Sequence, residues 1–253
     1  MQGPRSAVTI SVVLTIGGWR RGALAAIVAA TLPAFLVGCS SSKGGSSATT
    51  PANLPAAAGL LKASQAAMKD VTSAKFHLEG KGSIAGVEVD SADGTITSDG
   101  KAQGTAKVVQ NGTLASIDLV VVGGDIYIKG PTGGFAKLPP LAAGAFFDPS
   151  QILNPQKGLA QLLQYAADAK TVGEETVNGV DAYKVQTQLD GALVSHLMPI
   201  SAANKVPGTL WIAKDGNRLV RVSVETPQAG GKTAQLTLDL SDFGVHTNIT
   251  PPA

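Results

Sequence analysis

The chain has 253 residues, 44% of them hydrophobic but only 4% aromatic, with 20 basic and 18 acidic side chains and a single cysteine. That length allows one or two domains with a sizeable core. The near balance of charge gives no support for binding nucleic acid or an anionic lipid surface, and one cysteine excludes an internal disulfide and a multi-thiolate metal site.

Residues 1–38 read as a secretory leader, with Arg20-Arg21 as the positive region and an uncharged apolar run over residues 22–37. The next residues make it a bacterial lipoprotein leader. In Leu36-Val37-Gly38-Cys39 the small Gly38 lets a peptidase reach the bond, the Cys39 thiol takes a diacylglyceryl group, and cleavage frees its amine for another acyl chain. One acyl chain holds a protein marginally and two or more hold it stably, at roughly 0.8 kcal/mol per buried methylene. A membrane-spanning helix ending in a chance cysteine is the competing reading. The position of the only cysteine favours lipidation. A second apolar run over residues 7–16, ahead of Arg20, is unlike a leader's start and predicts initiation further downstream, near Val13. The leader carries Arg5, Arg20 and Arg21 and no acid, so the basic excess belongs to it. Residues 39–55, rich in Ser, Thr, Gly and Ala with Lys43 the one charge, predict a lipidated flexible tether. The domain proper is then 56–253.

Over residues 56–71, Leu60, Leu61, Ala67, Met68 and Val71 follow helical spacing opposite Lys62, Gln65 and Lys69, with Pro55 in the first turn. From Ser73 the period falls to two: Phe76 and Leu78 alternate with Lys75, His77 and Glu79, and the pattern recurs around Ile96, Ala106, Val108, Leu119, Val121, Ile126 and Ile128. Asp93-Gly94, Asp99-Gly100, Asn111-Gly112 and Gly123-Gly124 supply the positive φ angles of hairpin turns, so these strands form an antiparallel meander.

Residues 146–169 break that pattern. Asp148-Pro149 and Asn154-Pro155 each resemble an N-cap followed by a first-turn proline, and Ile152, Leu153, Leu159, Leu162 and Leu163 form an apolar helical face. Strand period returns over 171–177, turns at Asn178-Gly179 and continues through Tyr183 and Val185. Residues 192–198 predict a short helix. Strands follow over 209–213, 219–225, 235–240 and 245–249, the first two joined at Asp215-Gly216. The layout is α+β, about ten antiparallel strands with a few helices, and a sheet that size curls.

The sequence holds little reactive chemistry. His77, His196 and His246 are isolated, which argues against a metal site, and a lone histidine such as His77 on a strand's polar face is expected to be solvated. No nucleophile elbow or phosphate-cradling glycine loop is present. Asp93, Asp99 and Asp215 are explained by turns. Asn111-Gly112-Thr113 and Asn248-Ile249-Thr250 match the N-glycosylation pattern, the former better explained as a turn.

Residues 147–155, Phe147-Asp148-Pro149-Ser150-Gln151-Ile152-Leu153-Asn154-Pro155, with Gly158-Leu159-Ala160 after them, resemble the mycobacterial lipoprotein family of LppX, LprA, LprF and LprG. Val177-Asn178-Gly179, Pro207-Gly208-Thr209-Leu210-Trp211-Ile212 and Ser241-Asp242-Phe243-Gly244 agree in order and spacing. Phe243 departs from the family's usual tryptophan, and Ala106 stands where a close relative has a larger apolar residue. The resemblance implies a single curled half-barrel with helices over its concave face and an apolar cavity between them. It implies a non-enzymatic envelope lipoprotein, without cofactor, that carries multi-acylated lipid or glycolipid across the periplasm-like space. Its partners would be that lipid, the cell membrane through Cys39, and a membrane transporter. The implied lining is Ile96, Ala106, Val108, Leu119, Val121, Ile126 and Ile128 on strands and Leu153, Leu159, Leu162 and Leu163 on the helix. For each of these the competing role is core packing. The alternative function is an adaptor subunit of an efflux or export system that carries no lipid.

Overall fold

Alternation sets the centre of the sheet. In β1 (Ser73–Lys81), Ala74, Phe76 and Leu78 are buried while Lys75, His77 and Glu79 are exposed, as a period of two requires. This computed structural model describes residues 54–81, 88–110, 112–139, 148–198, 202, 204–227 and 233–252. The chain divides into two units, Met1–Ala48 and Thr49–Ala253, and every described residue belongs to the second. Cys39, the leader and most of the expected tether lie outside the described residues.

From β1 the chain runs outward through β2 (Glu88–Thr97), β3 (Ala102–Gln110), β4 (Thr113–Val122), β5 (Asp125–Lys129) and the short β6 (Ala136–Lys137). It then crosses to the far edge, β7 (Ala167–Val177), and returns through β8 (Val180–Leu189), β9 (Val206–Ala213), β10 (Leu219–Pro227) and β11 (Thr233–Ser241) to pair with β1. Among the described residues the result is one antiparallel sheet of 11 strands, ordered β6-β5-β4-β3-β2-β1-β11-β10-β9-β8-β7 and not closed. Among the expected hairpins, Asn178-Gly179 has both residues at positive φ, 49° and 83°, the geometry whose twist matches the flanking strands.

One expected turn is instead strand. Asp93-Gly94 lies inside β2, where Gly94 pairs with Gly104 of β3. A side chain on Gly94 would meet the Gln103 carbonyl and the Phe76 ring. The glycine therefore permits a close approach of two strands, and the Asp-Gly dipeptide mimics a turn signal.

The crossover carries the helical cover. Asp148 caps a 3-10 turn, Pro149–Gln151, accepting from the Ser150 amide. Asn154 accepts from the amides of Gln156 and Lys157 but starts no helix. The helix α2 (Leu159–Gln164) begins only after Gly158, whose position is crowded by the Ile152 and Asn154 carbonyls. Ile152 and Leu153 thus sit in a turn rather than on the expected helix. Strand β7 starts at Ala167, earlier than expected, with the left-handed Asp168 at φ 53° absorbed in a register shift. Ahead of the sheet, α1 (Ala57–Lys69) has Ala56 as N-cap, so Pro55 precedes the helix instead of opening it. Gly191–Leu197 forms α3, capped by Asp190. Residues 245–249 are not a strand. Both sides of β11 are already paired, and Asp242 and Gly244 take positive φ, so the tail leaves the sheet.

Candidate functional site

Register puts all seven strand positions expected to line a cavity on one face. Ala74 pairs with Ile96, Ile96 with Ala102, Ala102 with Val121 and Val121 with Ile126, a single row across five strands. The next rows toward the β3–β4 hairpin hold Gly104, Leu119 and Ile128, then Ala92, Ala106 and Ile117, then Val108 and Ala115. Burial falls along this direction. Ile96 and Val121 are fully enclosed and Ile126 nearly so. Leu119 and Ile128 are half-buried against the core. Ala106 and Val108 are half-buried, and Leu114 at the hairpin is 56% exposed.

The cover lies over the enclosed end. Leu153, Leu159, Leu162 and Leu163 are all buried in the same core as the Ile96 row. On α1, Ala57, Leu60, Leu61, Ser64 and Met68 form the buried stripe, at the three- and four-residue spacing of one helix face. This helix packs against α2 and β7. Gln65 donates to Gln164 across the α1–α2 contact, at 2.9 Å. Ser64 is the feature sequence reading missed. Its side chain is fully buried and its hydroxyl has no hydrogen-bond partner, whereas the helical Ser195 donates back to the Gly191 carbonyl at 2.9 Å. A buried hydroxyl left unpaired costs about 1–3 kcal/mol. The helical period marked Leu60, Leu61 and Met68, and Ser64 falls between them on the same face.

The opposite face is polar. His77, expected to be solvated, is 2.6 Å from Asp93. Further along, Arg221 grips Asp239 through Nε and Nη2 at 2.5 and 2.7 Å, and Asn178 donates to the same carboxylate. Burial alone would raise the Asp239 pKa, but the Arg221 and Asn178 hydrogen bonds outweigh it and hold it below the usual carboxylate value. The Trp211 indole donates to Glu175 and stacks beneath Lys184 and Arg221, closing a small second core with Val177, Ala182, Ala213 and Val220. Hydrogen bonds from Lys184 and Trp211 lower the Glu175 pKa. Phe243 packs against both cores and lies under Arg218. Among the described residues, no group of three or more His, Cys, Asp or Glu side chains is placed to hold a metal ion.

Comparison with known proteins agrees with this architecture. The family model for the LppX_LprAFG lipoproteins matches residues 56–249. A Mycolicibacterium smegmatis relative, the lipoarabinomannan carrier protein LprG, is 35% identical over 234 residues, spanning 89% of this chain and 94% of the relative. The crystal structure of LprF from Mycobacterium bovis superposes with a TM-score of 0.65 at 21% identity, over 78% of this chain and 97% of LprF. That of the Mycobacterium tuberculosis lipoprotein LppX gives 0.58 at 22% identity, over 77% and 98%. At those identities the two structures speak for the fold alone, the same large curled sheet.

Proposed function

The chain belongs to the LppX_LprAFG lipoprotein family, and from that membership we propose that it binds a multi-acylated lipid or glycolipid against its inward apolar face and carries it across the periplasm-like space. One observation supports this reading above the others. A continuous apolar face spans β1 to β5, joined at one end to the buried core that α1 and α2 share and half-buried at Ala106 and Val108 at the other. Ala106 and Val108 form the entrance. Leu119 and Ile128 line the passage, and Ile96, Val121 and Ile126 with Leu153, Leu159, Leu162 and Leu163 form the interior that separates to admit acyl chains. The carrier name of the LprG relative points the same way.

The energetics demand such a face. A sixteen-carbon chain is worth roughly 12 kcal/mol out of water, at about 0.8 kcal/mol per methylene. Two or three such chains do not leave a membrane for water at a useful rate. An apolar protein interior returns nearly all of that free energy, so the handover itself requires no nucleotide, cofactor or covalent step. Lipid on Cys39 would keep the domain beside the donor membrane, and residues 39–55 would give it reach. Native mass spectrometry of the chain with Cys39→Ala, produced in a mycolate-bearing bacterium, tests the proposal. A stoichiometric multi-acylated lipid is expected. A domain that stays empty when offered envelope lipids would replace the carrier reading with that of an adaptor subunit.

A further inference from the structure

The sheet face turned away from the helices carries a groove of about 560 Å³ that lipid carriage leaves unused. Its floor is backbone. Gly94 and Gly104 oppose each other on β2 and β3, and a side chain on either would strike the other strand's main chain. Two rows of polar side chains flank this floor. Lys75, Thr95 and Gln103 are register partners along one, and His77, Asp93 and Thr105 along the other. Asp118 extends the second row on β4. Phe135, from the connection between β5 and β6, stands at that end, with the Lys129 ammonium 5.9 Å from its ring centre.

We infer that this groove binds a neutral, linear oligosaccharide. The polar groups in it already have partners: Lys75 pairs with Asp242 at 2.7 Å, His77 lies 2.6 Å from Asp93, and Thr105 donates to Asp118 at 2.8 Å. Among the lining residues the one ammonium, Lys75, is engaged by Asp242, and the carboxylates Asp93 and Asp118 are separated by Thr105 instead of clustered. What the walls offer is a mixture. Each carboxylate binds its partner through one oxygen and keeps the other as an acceptor, and the Gln103 amide both donates and accepts. A sugar hydroxyl, donor and acceptor at once, satisfies such a mixture, whereas an anion or a cation satisfies half of it. Phe135 supplies an apolar plane for the C–H face of a pyranose. The groove runs across the strands, not along an edge, and the backbone groups beneath it are engaged in the ladder, so a peptide cannot add as a strand. From Ser241 on β11 to Asp118 on β4 it crosses five strands, about 19 Å, a length that takes about four linked rings.

The test uses the full-length chain in detergent micelles, titrated calorimetrically with lipid-free linear hexose oligomers of increasing length and with sulfated versions of the same oligomers. Affinity should rise with length, level off near about four rings, and be lost on sulfation. Phe135→Ala and Thr105→Val should each weaken binding about fivefold without altering the melting temperature. Absence of binding by the neutral series, tighter binding of the sulfated series, or unchanged affinity in both variants would overturn the inference. Because the groove and the apolar face lie on opposite sides of the sheet and the probe has no lipid, either assignment can fail without the other.

Discussion

Ala106→Trp tests the proposed entrance against ordinary surface. Ala106 sits on the inward face of β3 between Ala92 and Ile117 and is half-buried. Its cross-strand neighbours stand about 5 Å away, so an indole at this position reaches over both and occupies the space a lipid tail would cross. If it displaces about five methylenes of bound chain, the loss is about 4 kcal/mol, close to a thousandfold in Kd. The fold should lose no more than about 1 kcal/mol, because the site is partly open and Ala92 is small. Lys107→Trp is the matching control. It adds the same ring one residue along, on the opposite face of the strand, where Lys107 is exposed. Lipid occupancy by native mass spectrometry, paired with thermal melts, reads both variants. Wild-type occupancy in a folded Ala106→Trp protein, or equal loss in the Lys107→Trp control, would refute the entrance.

Three further outcomes follow from the packing. Ser64→Ala removes an unpaired buried hydroxyl and should stabilise the lipid-free domain by about 1 kcal/mol, seen in urea unfolding; a loss of stability would mean the hydroxyl is satisfied. Gly94→Ala should cost about 3 kcal/mol, because its new methyl meets backbone and the Phe76 ring, and an unchanged unfolding midpoint would contradict the close approach of β2 and β3. Arg221→Met strands Asp239, whose side chain is 9% exposed, and should cost about 3–5 kcal/mol at neutral pH. The sign of its pH dependence is fixed. The folded Asp239 pKa lies below its unfolded value of about 3.9, so its contribution is present above that value and is lost as pH falls through the lower folded one. The gap between wild type and variant should narrow from pH 7 to pH 3; a constant gap would assign Arg221's contribution to its stacking on Trp211.

The sheet was legible because its faces differ. Phe76 and Leu78 against Lys75 and His77 read directly as a half-buried strand, and every strand residue expected in the lining falls on the inward face. Reading went astray where backbone geometry overrode local signal. Asp93-Gly94 looks like a turn in isolation, and only the partner strand reveals that Gly94 serves a close approach. Asn154-Pro155 looks like a helix start, yet the crowding at Gly158 delays α2 by a turn. Residues 245–249 alternate like a strand but follow β11, whose two sides are already paired. The pairing of His77 with Asp93 was invisible for a related reason: it depends on β1–β2 register, which places residues 16 apart side by side. Ser64 escaped because a small polar residue inside an apolar stripe carries no mark in the periodicity.

The topology bears on how such a domain could open. The two meanders meet at β1 and β11, so the chain must travel from β6 at one edge to β7 at the other, and that passage places the 3-10 turn and α2 over the inward face. Among the described residues, the backbone hydrogen bonds of 148–165 run within the segment itself, such as Gly158 to Asn154, Leu159 to Ile152 and Tyr165 to Gln161. What holds this cover to the sheet is apolar contact through Ile152, Leu153, Leu159, Leu162 and Leu163. Separating it breaks no backbone ladder. It exposes methylenes, and an entering acyl chain covers methylenes at the same free energy per unit area. In the proposed carrier role, the exchange of leucine side chains for lipid would therefore be close to neutral. A cover pinned by backbone pairing would instead require several unsatisfied amides in each loaded state. A cover that, among the described residues, makes no backbone hydrogen bond to the sheet would suit the proposed carrier role, because it could part and close without unfolding.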